Sequence, residues 1–446
     1  MVDAHRTFVI VGGGLAGAKA AETLRAEGFT GRVILIGDER DHPYERPPLS
    51  KGYLTGKEER DSVYVHEPAW YAQAQVELHL GQTVTSIDRA GKYVYLGDGT
   101  SLRYDKLLLA TGAEPRRLDI PGTDLAGVHH LRRLAHAERL RRVLTSLGRD
   151  NGHLVIAGAG WIGLEVAAAA RGYGAEVTVV EAEETPLHGV IGPELGQLFT
   201  DLHSEHGVRF HFGARLTEIA GQDGVVLAAR TDDGEEHPAH DVLAAIGAAP
   251  RVSLAEAAGL ELAPRAFGGG IVVDGGLRTS DPDVFAAGDV ASLPLTGWGT
   301  ARQDPRSDSA RSSEQPDEQP AAHPRERLRV EHWANALNGG PAAARAMLGQ
   351  DLTYDRVPYF FSDQYDLGLE YSGWAPPGSY DQVVVRGDTG KREFVAFWLK
   401  DRRVLAGMNV NVWDVTEDIQ RLIRSGAQLD LDALADPSVP LSTLAT

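Results

Sequence analysis

Residues 7–39 read TFVIVGGGLAGAKAAETLRAEGFTGRVILIGDE and contain the glycine spacing G-x-G-x-x-G. The apolar run from Phe8 to Val11 is typical of a buried parallel strand. Gly12 permits the tight turn that follows, and Gly14 lets the backbone approach a pyrophosphate. Gly17 allows the next helix to pack closely against the strand. The pattern indicates a dinucleotide-binding turn.

The residues after these glycines support the same interpretation. A helix is predicted from Ala18 to Arg25, and its unpaired N-terminal N–H groups would face the phosphates. A second apolar strand, Val33 to Ile36, leads to Asp38 and Glu39. An acid at this position accepts hydrogen bonds from a ribose diol. We prefer Asp38 because it is the first acid after the strand.

Residues 153–181, HLVIAGAGWIGLEVAAAARGYGAEVTVVE, repeat the opening pattern. The glycines are Gly158, Gly160 and Gly163, and the acid after the next strand is Glu181. A second copy is much harder to obtain by chance than one. The sequence therefore predicts two dinucleotide-binding domains.

Each copy is followed by a similar exit strand, LLLATGAEPR at 107–116 and VLAAIGAAPR at 242–251. This order indicates that one domain is inserted in the other. The fold class that we predict is α/β, with two Rossmann-type domains and a C-terminal α+β domain. The predicted boundaries are 1–113 with 243–350 for the first domain, 114–242 for the second and 351–446 for the third.

Composition narrows the possible chemistry. The chain has 446 residues and no cysteine, which excludes a disulfide, an iron–sulfur cluster, a thiolate zinc site and a catalytic thiol. Redox chemistry would therefore need a bound cofactor. The net charge of −19 argues against a nucleic-acid partner. No apolar stretch reaches the ~18 residues of a membrane span, and the N-terminus lacks signal-peptide character, so we expect a cytoplasmic protein.

The later part of the chain changes in character. Residues 300–327 are rich in Pro, Ser, Gln and charged residues, and we predict a flexible insertion there. A helix is predicted from Val330 to Gly349. A separate C-terminal block has strand patterns at Gln382 to Val385, Glu393 to Leu399 and Val404 to Met408, and a closing helix near Thr416 to Ser425. The histidines at 203, 206 and 211 lack the spacing of a metal motif, so we expect ordinary polar positions and no metal site.

The motifs GGGLAG, RPPLSK, ATGAEPR, GAGWIGLE, TSDPDVFAAGDV, EHWANA and FFSDQYD together resemble the FAD- and NAD-dependent flavoprotein reductases of the glutathione-reductase superfamily. The chain is most similar to the ferredoxin and rubredoxin reductases, and it also resembles apoptosis-inducing-factor-like NADH flavoproteins. The resemblance covers nearly the whole chain. It implies a glutathione-reductase-like fold with FAD and NAD as cofactors. The disulfide-reducing members carry a redox cysteine pair, which this chain lacks.

The resemblance also implies a set of site residues. The two catalytic residues would be Lys51 and Glu165, which we expect to form a buried ion pair beside the flavin. The FAD would contact residues from both parts of the first domain: Gly12, Gly14, Gly17, Asp38, Arg46, Lys51, Ala110, Thr111, Arg116, Arg132, Asp289 and Trp333. Further cofactor-binding residues would be Leu15, Ala16, Glu39, Gly112, Gly247 and Gly288. The NAD would contact residues of the second glycine turn and its acid: Gly158, Gly160, Ile162, Gly163 and Glu181.

We therefore expect a reductase that takes hydride from NADH onto FAD and passes single electrons to an external acceptor, most plausibly a two-iron ferredoxin. Tyr359, Phe360 and Phe361 stand where ferredoxin reductases often carry tryptophans, which leaves other acceptors open. One alternative is an apoptosis-inducing-factor-like NADH oxidoreductase that uses quinone or dioxygen. Another is a non-catalytic NADH-sensing flavoprotein. The protein would be a monomer or a homodimer.

Coenzyme choice can also be predicted. Glu181 ends its strand, and its carboxylate can accept hydrogen bonds from both hydroxyls of the adenosine ribose. A 2′-phosphate would meet this carboxylate, with Glu183 and Glu184 close behind and no arginine in the next several residues. The sequence therefore predicts NADH in preference to NADPH.

Overall fold

The structure is a computed structural model that describes residues 5–295 and 327–444. The insertion expected at 300–327 lies outside the described residues except for its last member. Arg327 is the first residue of a strand, and its guanidinium donates to the carbonyl oxygens of Val273 and Ser292. The predicted insertion stays a prediction.

The first parallel sheet is built around the opening strand. Its central strand is apolar on both faces because helices cover the sheet, and Phe8, Val9 and Ile10 are fully buried. The last strand in the chain to join this sheet comes long after the other four. In spatial order the strands are β19 (Val284–Ala286), β7 (Lys106–Leu109), β1 (Thr7–Val11), β2 (Arg32–Gly37) and β3 (Val76–Leu80).

A second parallel sheet has the same central arrangement, with the glycine-turn strand at its middle. All its strands come from one continuous stretch of the chain. In spatial order they are β12 (Val208–Phe212), β11 (Glu176–Glu181), β10 (His153–Ala157), β16 (Asp241–Ala244) and β9 (Val128–His129).

The C-terminal block contains an antiparallel sheet. In spatial order its strands are β22 (Tyr359–Gln364), β23 (Leu367–Gly373), β26 (Arg403–Val410), β25 (Glu393–Lys400) and β24 (Gln382–Asp388). The sequence predicted the last three strands in the chain but not the first two. Ser362 and Gln364 are buried polar residues on β22, and they break the apolar alternation by which a strand is recognised.

The remaining strands of the described residues form small sheets of two or three strands. One sheet contains β4 (Val84–Asp88), β5 (Tyr93–Leu96) and β6 (Ser101–Arg103), and another contains β13 (Leu216–Gln222), β14 (Val225–Thr231) and β15 (Glu236–Pro238). β8 (Ala113–Pro115) pairs with β17 (Ala248–Pro250), and β18 (Ile271–Val272), β20 (Ala291–Pro294) and β21 (Arg327–Arg329) form a further sheet. The helices are α1 (Leu15–Ala26), α2 (Gly52–Thr55), α3 (Pro68–Gln73), α4 (Leu134–Asp150), α5 (Trp161–Tyr173), α6 (His188–Ile191), α7 (Pro193–Glu205), α8 (Ser253–Ala257), α9 (Trp333–Met347), α10 (Thr416–Ser425) and α11 (Leu431–Ala435).

Helix α9 packs against α1 and completes the first domain. The two backbones approach so closely that a Cβ atom at Gly340 would lie 2.2 Å from the carbonyl oxygen of Ala16. The helix begins at Trp333, three residues later than the predicted start at Val330, because β21 keeps the preceding residues extended. The domain boundaries given above stay a prediction.

Candidate active site

The first glycine turn has the geometry of a phosphate-binding loop. Gly12 has a φ of +129°, and a Cβ atom there would lie 2.1 Å from the carbonyl oxygen of Ala110. A Cβ atom at Gly17 would lie 2.1 Å from the carbonyl oxygen of Gly12, which fixes the helix close to the strand. Gly14 instead borders open space, with nothing within 4 Å of a Cβ atom. The turn is thus closed on the protein side and open on the other.

The second glycine turn repeats this geometry. Gly158 has a φ of +100°, and a Cβ atom at Gly163 would lie 2.1 Å from the Gly158 carbonyl oxygen. Gly160 has nothing within 4 Å of a Cβ atom. Neither α1 nor α5 has a side-chain cap from the described residues or an acid in its first turn. Both helix N-termini therefore present backbone N–H groups that can donate hydrogen bonds to an anion.

Both turns open into one cavity of about 1030 Å³. A dinucleotide fits this cavity chemically, because two uncapped helix N-termini and several charged side chains line it. The predicted site residues that line it are Gly12, Gly14, Leu15, Ala16, Asp38, Glu39, Arg46, Lys51, Ala110, Thr111, Gly112, Arg132, Gly160, Ile162, Glu165, Gly247, Gly288, Asp289 and Trp333.

The other predicted residues stand outside the lining. Gly17, Gly158 and Gly163 shape the two turns by packing, as described above. Arg116 is exposed, and its neighbour Arg117 lines the cavity instead. Glu181 lies behind the second turn, where one carboxylate oxygen accepts the N–H of Ala159 at 2.6 Å and the other accepts the N–H of Glu183 at 3.1 Å. Their roles in binding stay predictions.

Asp38 is held by two arginines that sequence reasoning missed. Its Oδ2 atom accepts from Arg133 at 2.7 Å and from Arg251 at 3.0 Å. Burial alone would raise the pKa of Asp38, but the guanidinium groups of Arg251 and Arg133 outweigh it and hold that pKa below its usual range. Glu39 has a different partner, since the Tyr44 hydroxyl donates to it at 2.7 Å. Asp38 is therefore ionised at neutral pH.

The structure pairs Lys51 with Glu165, as the sequence led us to expect. The Lys51 Nζ atom lies 2.5 Å from Glu165 Oε1, and the two side chains are 14% and 4% exposed. Ser50 donates to the other carboxylate oxygen, and Ser362 donates to Oε1 at 2.6 Å. The ring centroid of Phe361 lies 5.4 Å from Nζ, within range of a cation–π contact. The catalytic role of the pair stays a prediction.

Further polar groups line the cavity or contact its lining residues. Arg132 donates to Asp289 at 2.5 Å and to the Ala113 carbonyl oxygen at 3.1 Å. The Trp333 indole donates to Glu45 at 3.1 Å. Burial lowers the pKa of His332 to about 4, so its ring is neutral at pH 7. The EHW segment therefore contributes a neutral imidazole as well as the predicted tryptophan.

One histidine cluster among the described residues lies outside the lining of this cavity. His211, Glu235 and His237 each offer a ligand atom within 4.8 Å of the others. His211 also meets Asp233 at 2.7 Å and Glu235 at 3.3 Å, and the expectation of no metal site stays a prediction. Within residues 5–295 and 327–444, no helix is both long and apolar enough to cross a membrane.

Comparisons with known proteins agree with this architecture. Residues 6–340 match the pyridine nucleotide-disulphide oxidoreductase family model, and residues 359–445 match the reductase C-terminal model. The probable ferredoxin reductase CtmF of Castellaniella defragrans is 37% identical, with 100% of both chains covered. Putidaredoxin reductase CamA of Pseudomonas putida is 34% identical, covering 99% of this chain and 97% of that protein.

Solved structures give the same result. The ferredoxin reductase for the CYP199A2 system from Rhodopseudomonas palustris has a TM-score of 0.87 and 35% identity, covering 99% of this chain and 100% of that one. The covalent putidaredoxin reductase–putidaredoxin complex gives a TM-score of 0.86 and 34% identity, covering 98% and 97%. The predicted fold class and the resemblance to ferredoxin reductases are confirmed. The chain belongs to the pyridine nucleotide-disulphide oxidoreductase family.

Proposed function

We propose that this chain is an NADH-dependent FAD reductase that delivers electrons to a ferredoxin-type acceptor. It is an oxidoreductase that uses FAD and NAD(P). The observation that carries the proposal is the shared cavity, where two uncapped glycine turns flank the Lys51–Glu165 pair. When bound, the flavin accepts hydride from the nicotinamide and releases electrons one at a time.

The first domain supplies the flavin-binding groups. The N–H groups of the first turn of α1 would bind the pyrophosphate, and Asp38 would accept hydrogen bonds from the adenosine ribose. Asp289, held by Arg132, would bind the ribityl chain. The indole of Trp333 would pack near the isoalloxazine. Its ring meets Phe361 edge-on at 6.0 Å, which restricts its movement.

Lys51 has an electrostatic role in this proposal. A preorganised ammonium group stabilises negative charge that develops on a reduced ring. Glu165 holds that ammonium group in place, because Lys51 is largely buried and its Nζ is bonded to the carboxylate. Truncating Lys51 would leave a buried carboxylate without its partner cation.

The acceptor is supported by the relatives. Their names specify ferredoxin, putidaredoxin and rubredoxin, and one solved neighbour is a complex with putidaredoxin. Ferredoxins are commonly acidic, so docking on this acidic chain would require a local basic face. Arg40, Arg116 and Arg117 are exposed and are candidates for it. The proposal includes a cytoplasmic location, where NADH is available, and either a monomer or a homodimer.

The test begins with the purified protein, which should be yellow with one non-covalent FAD per chain. NADH oxidation is then measured with ferricyanide and with a panel of ferredoxins, quinones and dioxygen. The proposal requires turnover with ferricyanide and the highest kcat/KM with a ferredoxin. Preference for quinone or dioxygen would favour the apoptosis-inducing-factor-like alternative. Slow reoxidation by every acceptor, with a change in oligomeric state, would favour the sensor.

A further inference from the structure

A chain of buried hydrogen bonds leads from Glu165 on α5, through β22 of the C-terminal block, to His203 on α7. Ser362 donates to Glu165 Oε1 at 2.6 Å, and the amide nitrogen of Gln364 donates to the Ser362 hydroxyl at 3.1 Å. The carbonyl oxygen of Gln364 meets His203 Nε2 at 2.8 Å, and Tyr365 meets His203 Nδ1 at 3.3 Å. Ser362, Gln364 and His203 are at most 1% exposed.

The hydrogen bonds in this chain run in one direction. Burial lowers the pKa of His203 to about 4, so its ring is neutral at pH 7 and has one donor nitrogen and one acceptor nitrogen. Nε2 faces a carbonyl oxygen and must donate, which leaves Nδ1 to accept from the Tyr365 hydroxyl. Gln364 then accepts on its oxygen and donates from its nitrogen. Each donor therefore points towards Glu165.

We propose that Ser362, Gln364 and His203 are positioning residues that fix the orientation of Glu165 on Lys51. Aligned donors polarise one another, and a hydrogen bond to a carboxylate is stronger than one between neutral groups. The chain thereby holds Oε1 where it receives hydrogen bonds from both Ser362 and Lys51. This inference rests on the proposed function, since it assigns supporting residues to the same site.

Three parts of the molecule meet at this carboxylate. Glu165 lies on α5 and His203 on α7, Lys51 lies just before α2, and Ser362 and Gln364 lie on β22. Among the described residues, Lys51 attracts Glu165 and the exposed Asp363 repels it. His203 is neutral and Tyr365 carries a hydroxyl proton. The ion pair thus depends on the C-terminal domain for its donor Ser362.

The test compares two buried serines on neighbouring strands of one sheet. Ser362→Ala removes the donor to Glu165. Ser372→Ala is the matched control, because Ser372 on β23 is 2% exposed and bonds only Gln420 among the described contacts of its hydroxyl. The rate of flavin reduction by NADH is measured by stopped flow across a pH series. The midpoint potential of the bound flavin is measured by spectroelectrochemistry over the same series.

We expect Ser362→Ala to slow flavin reduction by NADH roughly ten- to 150-fold and unequally across the pH series, because Glu165 loses a charge-assisted hydrogen bond that holds it on Lys51. The midpoint potential of the flavin should also shift from the wild-type value, since Glu165 no longer fixes Lys51 in one position. Ser372→Ala should keep the wild-type profile, and Ser362→Thr should restore it by retaining the hydroxyl. A purely structural role would lower the rate equally at every pH.

Gln364→Glu provides a second variant that preserves volume. A carboxylate at this position only accepts, so it competes with Glu165 for the Ser362 proton and should change the rate profile and the flavin potential as Ser362→Ala does. The inference is overturned if Ser362→Ala and Gln364→Glu share the profile of Ser372→Ala. A wild-type flavin that NADH does not reduce would instead refute the proposed function, whatever the variants show.

Discussion

Replacing Gly160 by alanine should weaken coenzyme binding without disturbing the fold. Gly160 has an ordinary φ of −77°, and nothing lies within 4 Å of a Cβ atom built on it. The added methyl group would therefore meet no protein atom. It would occupy the open side of the second glycine turn, where the backbone N–H groups of α5 face the cavity. The substitution should leave the fold intact and hinder the approach of a pyrophosphate.

The magnitude follows from the bonds at stake. One charge-assisted hydrogen bond contributes about 1.5–3 kcal/mol, so its loss corresponds to a roughly ten- to 150-fold weaker affinity for NADH. The stability cost is smaller, about 1 kcal/mol, because alanine is a poorer N-cap residue than glycine. Gly172 provides the matched control on the same helix, since a Cβ atom there also has nothing within 4 Å. Gly172→Ala should stabilise α5 slightly, by roughly 0.5–1 kcal/mol.

The assay is a stopped-flow titration of flavin reduction against NADH concentration, with flavin content and thermal unfolding measured alongside. Gly160→Ala should retain a full complement of FAD and require a higher NADH concentration for half-maximal reduction. Gly172→Ala should match the wild type. Equal NADH affinity in the two variants would refute the assignment of this turn to the coenzyme.

Three further predictions concern named side chains. Lys51→Met should lower the flavin potential and slow reduction by NADH, and it should destabilise the fold by roughly 3–5 kcal/mol because Glu165 stays buried without its cation; unchanged reduction kinetics would contradict the role of Lys51. Wild-type kcat/KM should favour NADH over NADPH by roughly 100-fold or more, since bringing the 2′-phosphate of NADPH next to Glu181 in a partly desolvated pocket costs several kcal/mol. Glu181→Arg should reduce or reverse that preference. Comparable wild-type use of NADPH would show that Glu181 does not select the coenzyme. The pKa of His203 falls from 6.5 to about 4 on folding, so the unfolded chain binds more protons between these two pH values and the stability of the fold declines as the pH drops through that range. In His203→Gln, the loss of stability between neutral and acid pH should be smaller than in the wild type by up to about 3 kcal/mol, as measured by thermal unfolding. An identical pH dependence in the variant would exclude His203 as the source.

The glycine turns could be predicted from the sequence because their constraints are local. Gly12 has a positive φ, and a Cβ atom at Gly17, five residues later, would clash with the Gly12 carbonyl oxygen within the same turn. The same holds for Gly158 and Gly163. A short segment therefore contains enough of the physical reason for its geometry to be recognised, although the distant Ala110 carbonyl oxygen also excludes a Cβ atom at Gly12. The Lys51–Glu165 pair was predictable only through family resemblance, since its two residues come from distant segments.

The remaining features of the site and the fold could not be predicted from the sequence, because they depend on contacts between distant segments. Arg251 reaches Asp38 across much of the sequence, and no pattern near either residue signals the contact. Ser362 and Gln364 look like surface residues in the sequence, yet both are buried, because the chain of hydrogen bonds to Glu165 satisfies them. A buried polar residue with partners elsewhere in the chain conceals its strand, and β22 was missed for that reason.

The order in which strands enter the two parallel sheets has a consequence for synthesis on the ribosome. The second sheet draws every strand from one continuous segment, between β9 and β16, so it can form as soon as that segment emerges. The first sheet obtains its edge strand β19, Val284–Ala286, only afterwards, and helix α9 follows later still. Long-range pairing of this kind slows folding, because distant segments must be brought together before their contacts form. The first domain therefore stays incompletely folded until the second domain, which is inserted in it, has been synthesised.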